Sequence, residues 1–265
     1  PTPKQQFCET GKVSQKCACI HIMRVVVYHI VISSFKYYMM SKRDTRAKRC
    51  GRYAEENKRP GQRADAFCGL CHGGPLLCKA AREPGRLYFI AMAVFALSMV
   101  LLYAASTTYH TVDSTDKVNR RLRKLDHMMI FVLIAGSYTP VCLLAIPGMT
   151  GYILLAVVWI IALLGMGFKY FWVYCPKWIS SVLYIALGWA CIFAFPQLLN
   201  TLSIGCFLWL LAGGLIYTAG GVIYALKLSA FENRHINFGC HEIFHLFVMA
   251  GSFCHYIVMY VYLLQ

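Results

Sequence analysis

Charge is what this chain has least of. Asp, Glu, Lys and Arg make up only 14% of its 265 residues, against 58% hydrophobic, and the mean hydropathy is +0.54. A soluble domain needs more polar surface than that, so the composition excludes one and points to a polytopic membrane protein. A secretory leader is also missing, because no clean apolar stretch near the N-terminus is followed by small residues. The 13 cysteines give no disulfide framework. Seven of them crowd the first 78 residues without regular spacing, while Cys142, Cys191, Cys206, Cys240 and Cys254 fall in apolar runs, where cysteine acts as a small buried group.

What charge there is lies unevenly, since 17 of the 26 Lys and Arg precede Leu87. The net charge of +15 is therefore mostly a property of the N-terminal segment. A basic chain can imply nucleic acid, but the long apolar sequence that follows makes lipid the partner and nucleic acid none. Residues 1–86 read as a basic, Cys-rich segment. Its one span-like stretch, 19–40, carries Arg24, His29 and Lys36, which a true span seldom tolerates. The 41–86 part reads as solvated or disordered, broken by Gly and Pro. It holds Cys68-Gly-Leu-Cys71-His72, the spacing of covalent c-type haem, which arises easily by chance in a Cys-rich tract.

At Leu87 the pattern changes. Residues 87–109 carry no charge over 23 positions, enough to cross ~30 Å of hydrocarbon at ~1.5 Å per residue. Further uncharged runs at 128–146, 152–168, 178–199, 202–226 and 243–264 make six spans. Glycine pairs inside them (Gly165/Gly167, Gly213/Gly214, Gly220/Gly221) predict close helix contact, and Pro140 and Pro196 predict kinks or ends. Trp178, Trp189 and Trp209 read as interface or packing groups. The fold class is all-α, a membrane helix bundle. Loops 110–127, 169–177 and 227–240 carry nine Lys and Arg, including Lys169, and loops 147–151 and 200–201 carry none. The positive-inside rule puts the first set in the cytoplasm and the C-terminus outside. With six spans the basic N-terminus would also lie outside, against the rule.

The most informative stretch is His241-Glu242-Ile243-Phe244-His245. Positions four apart share one helix face, so His241 and His245 offer two imidazoles to one ion. Counting crossings brings His110 and Asp126 to the same cytoplasmic edge, with Ser106 one turn from His110. Ionisable groups at membrane depth mark a functional site by default. Three imidazoles suit Zn2+ and leave an open fourth position, the mark of catalytic rather than structural zinc, where bound water has a pKa of ~7. Asp126 and Ser106 are the candidate catalytic partners and His110, His241 and His245 the candidate metal ligands. His127, about 100° round the helix from Asp126, and His255, deeper in the last span, read as core residues. HEIFH also fits the HExxH pattern of zinc proteases with Glu242 as base, but no acidic third ligand follows His245.

These segments resemble a known family. Ser106 to His110 as SxxxH, LDHMMIFVLIAGSYTP, GMGFKYF, LYIALGW, LLAGGLIYTAGGVIY and HEIFHLFVMAGSFCHY are similar to the haemolysin III branch of the progestin and adipoQ receptor superfamily, in family order over 87–264. The resemblance implies a seven-helix membrane protein, six of whose spans lie in a transmembrane domain over 87–265, a cytoplasmic N-terminus, and zinc on the histidines matching His110, His241 and His245 with Asp126 and Ser106 nearby. It does not fix one activity. Some members are associated with zinc-dependent hydrolysis of lipid amides of the ceramide type, others with receptor function toward a lipid or steroid ligand in which zinc is structural, and bacterial members with haemolysis. A plasma-membrane or endomembrane location follows. The family's first helix is not recognisable in 1–86, where 19–40 is the one candidate.

Overall fold

The computed structural model describes residues 63–81, 85–112, 114–226 and 240–264, without the side chains of 63–71 and 240–242. The described residues are helical, with no strand among them. In order they are α1 (Arg63–Ala80), α2 (Arg86–Thr111), α3 (Asp116–Pro140), α4 (Met149–Phe171), α5 (Lys177–Gly188), α6 (Phe195–Thr201), α7 (Ile204–Leu226) and α8 (Cys240–Ile257). A bilayer offers no water to backbone groups, so long apolar runs satisfy their own N–H and C=O by becoming helices. Six helical stretches are long and apolar enough to cross a membrane, as the uncharged runs predict: Arg86–Thr111, Asp116–Ala145, Met149–Phe171, Lys177–Thr201, Ile204–Leu226 and Ile243–Leu263. The chain is a multi-pass integral membrane protein.

Both prolines act where expected. At Pro140 the α-helical ladder of α3 gives way to a wider turn at Val141–Ala145, because the ring lacks an N–H and crowds the preceding turn. Pro196 sits in the first turn of α6, just after the tight 3-10 stretch Trp189–Ala194 that breaks the fourth span. A missing donor costs least in a first turn. Gly165, Gly213 and Gly220 each lie where a Cβ would strike a neighbouring side chain, whereas Gly167 and Gly214 face open space. Gly221 also faces a neighbour, Ile185, so one member of the first two pairs and both of the third are contact residues.

Two stretches depart from the sequence reading. Composition places 41–86 in solvent, yet residues 63–80 form α1, which packs along α2 and touches α8. The Gly73-Gly74-Pro75 run reads as a breaker. Within α1, however, Gly73 brings the backbone against α2, where a Cβ would come within 2.9 Å of Val100 Cγ2. Leu76 and Ala80 are fully buried, and Lys79 Nζ donates to the Tyr260 carbonyl at 2.7 Å. Tertiary packing overrides local propensity here. The span-like stretch 19–40 lies outside the described residues. Lys169 is the second departure. The charge pattern counts it as a loop cation, but α4 runs on through it, and it is fully buried. Its Nζ donates to Ser180 Oγ and, at 3.1 Å, to Cys175 Sγ.

Candidate metal centre and its cavity

The helices deliver the candidate residues to one end of the bundle. His110 is in the last turn of α2 and His245 in the second turn of α8. Their rings meet edge to face with centroids 5.4 Å apart. These residues are 135 positions apart in the chain, and only the crossing count predicts their proximity. Asp126 on α3 is 6% exposed, and both histidines act on its carboxylate electrostatically, behind the closer His127. Ser106 is 3% exposed and its Oγ has no hydrogen-bond partner among the described residues. His241 lies in the first turn of α8, one turn before His245, with its side chain outside the described residues. Among the described residues no three His, Cys, Asp or Glu side chains complete a metal site.

His127 matters more than its position on the helix wheel suggests. Its Nδ1 is 3.6 Å from Asp126 Oδ2 and 3.0 Å from the Arg123 carbonyl. A carbonyl only accepts, so Nδ1 carries a proton and donates to Arg123. At 3.6 Å the contact with the carboxylate is electrostatic rather than a hydrogen bond. Tyr184, from the LYIALGW segment, donates to the His127 carbonyl at 3.1 Å and packs edge-on against Phe131. It thereby holds α5 against the turn of α3 that carries Asp126.

Ser106, Asp126, His127 and His245 line one end of a cavity of about 140 Å³. Its walls are largely apolar, with Leu102, Ile130, Leu133, Ile134 and Val248, and it extends to Tyr217 and His255. His110 stands behind His245 rather than in the cavity wall. A larger hollow of about 590 Å³ is lined by the 142–148 and 201–203 turns and contains none of the candidate site residues. Buried charge is expensive inside a membrane bundle. A carboxylate, two imidazoles and a buried hydroxyl without a partner among the described residues are donor types that a divalent cation takes, although those described do not by themselves complete a site.

Comparison with known proteins shows the family. The haemolysin-III related family profile matches residues 65–256, beginning within α1. The chain belongs to the haemolysin III family. Hemolysin-3 of Bacillus cereus is 36% identical over 177 residues, which cover 67% of this chain and 77% of that protein. The Hemolysin-3 homolog of Bacillus subtilis (strain 168) is also 36% identical over 177 residues, covering 67% of this chain and 79% of the relative. The human monocyte to macrophage differentiation factor is 25% identical over 175 residues, or 64% and 69% of the two chains. This haemolysin III chain thus falls in the branch that its motifs predict. Because the family match starts at residue 65, α1 belongs to the haemolysin III bundle.

Proposed function

We propose that this haemolysin III protein is a zinc-dependent hydrolase of membrane lipid amides, acting where His110 and His245 meet beside Asp126. The observation that carries this reading is the 5.4 Å approach of two imidazoles 135 positions apart in the chain, one of which, His245, lines the polar end of an apolar cavity. His110 and His245 would hold the ion, with His241, one turn before His245, as the third imidazole. When bound, Zn2+ supplies Lewis acidity toward a carbonyl oxygen at that end of the cavity. The apolar wall formed by Ile130, Leu133 and Val248 takes the acyl chain and keeps bulk water from the reacting carbonyl.

Asp126 is the general base. Its buried carboxylate takes a proton from the attacking water as the new C–O bond forms, then gives it to the amide nitrogen as the C–N bond breaks. Fatty acid and amine leave, and the carboxylate is regenerated. His127, held by the Arg123 carbonyl, stands 3.6 Å from the carboxylate and favours its negative charge electrostatically. Ser106 Oγ donates a hydrogen bond to the lipid, a use consistent with its lacking a partner among the described residues.

The test is turnover of an amide lipid by purified protein, with zinc measured on the same sample. Asp126→Asn is expected to lower turnover by about 10²–10⁴-fold while zinc stays bound. His245→Ala should remove both. Full zinc occupancy without hydrolysis of any amide lipid would instead support a receptor with structural zinc.

A further inference from the structure

The far end of the cavity holds a polar group that the hydrolytic reading does not use. His255, on α8, lines the same cavity as Asp126 and His245. It lies ten residues beyond His245, which places it ~15 Å further along the helix axis. The residue is half-buried, but both ring nitrogens are buried, and neither has a hydrogen-bond partner among the described residues. The nearby hydroxyls are already committed: Tyr103 Oη donates to Ser252 Oγ at 2.8 Å, and Ser252 Oγ pairs with Tyr217 Oη at 2.8 Å. Buried polar groups without partners are rare in native proteins, and each calls for a ligand, a water or a function.

The bundle makes room for this imidazole. Gly213 on α7 faces its Cδ2–Nε2 edge so closely that a Cβ there would overlap the ring, and Tyr217 packs edge-on against it with centroids 5.4 Å apart. The Leu210 carbonyl, one turn before Gly213, lies near the ring but meets neither nitrogen with hydrogen-bond geometry. A neutral imidazole carries one proton, and with it on Nε2 the Nδ1 is a bare acceptor. We propose that His255 is a second binding station in the cavity, which accepts a hydrogen bond from an uncharged donor, a lipid hydroxyl, on a chain whose other end reaches Asp126 and His245. This rests on reading the cavity as a lipid site. Esters, ethers and ketones only accept and cannot satisfy Nδ1. A charged headgroup is disfavoured because no Lys or Arg lines the cavity and its carboxylate, Asp126, is at the opposite end.

The experiment compares a long-chain primary alcohol with its methyl ether, which has the same chain and oxygen but no donor. Thermal unfolding of the full-length protein in detergent should show a Tm rise on the order of 2–4 °C with the alcohol over the ether. His255→Phe should abolish that difference and leave zinc content unchanged, whereas Asp126→Asn and His245→Ala should preserve it. Nitrogen NMR of histidine-labelled native protein gives a second readout needing no substitution: one His255 ring resonance should move with the alcohol and stay still with the ether. Equal shifts for alcohol and ether, or a difference that survives in His255→Phe, would overturn the station. Loss of amide-lipid turnover as a property of the protein would overturn the hydrolase alone, since the alcohol response in Asp126→Asn does not depend on it.

Discussion

Ser106 and Lys169 show how little a residue's type alone says about its role. Both are buried polar side chains, but Ser106 Oγ has no partner among the described residues, and Lys169 Nζ has two neutral ones. Removing a hydroxyl that bonds to none of the described residues forfeits no hydrogen bond among them, so Ser106→Ala should leave the Tm unchanged or slightly raised. If the hydroxyl serves the lipid, the same change should lower amide-lipid turnover about tenfold, the equivalent of one hydrogen bond. Lys169 behaves as a packed chain with a polar tip. Lys169→Ala opens a cavity and should cost about 2–5 kcal/mol, while Lys169→Met keeps the volume and should cost less than about 1.5 kcal/mol, both read from thermal melts. At this scale the sequence was partly legible. His110, Asp126 and His245 could be placed by helical spacing and crossing parity. His127 was set aside because adjacent side chains diverge by about 100°, yet a long side chain closes that angle to reach 3.6 Å. The enclosure of Lys169 and the stranded nitrogens of His255 depend on what other helices bring alongside, and no single-chain pattern records that.

Among the elements, the α7–α8 contact is set by glycines that differ sharply although adjacent in sequence. A Cβ at Gly213 would run into His255, and one at Gly214 meets nothing within 4 Å. Gly213→Ala should therefore cost about 1–3 kcal/mol through overpacking. Gly214→Ala should be neutral or stabilising by up to about 1 kcal/mol, because alanine is the better helix former. Thermal melts of the two single variants check the contrast, and equal effects would mean that α7 and α8 do not approach as described. The sequence pointed to glycine pairs as contact sites but could not say which member faces the neighbour, since that depends on helix rotation. α1 was missed for a related reason. Its Gly73-Gly74-Pro75 run is a loop signal taken alone, and only the surface of α2 turns it into a packed helix.

For the whole molecule, the crossing count sets the topology. Six helical stretches are long and apolar enough to cross, and α1 is not among them. The positive-inside rule predicts that the basic loops and His110 lie on the cytoplasmic side. Five crossings follow His110, so the C-terminus is predicted on the opposite side. A C-terminal alkaline phosphatase fusion expressed in a bacterium should accordingly be active and a C-terminal green fluorescent protein fusion dark. The reverse pattern would invert the bundle and place the metal centre outside. Six of the helices were legible from uncharged length alone, because a bilayer leaves a long apolar segment only one backbone solution. α1, a shorter helix that carries three charges, was not.

The central claim is that His110 and His245 share an ion. Its most direct measurement is the zinc content of purified protein by mass spectrometry, in the native chain and in His110→Ala and His245→Ala, each confirmed to be folded. The account predicts about one zinc per native chain and its loss in both variants. A native protein without zinc, or variants that keep it fully, would contradict the account.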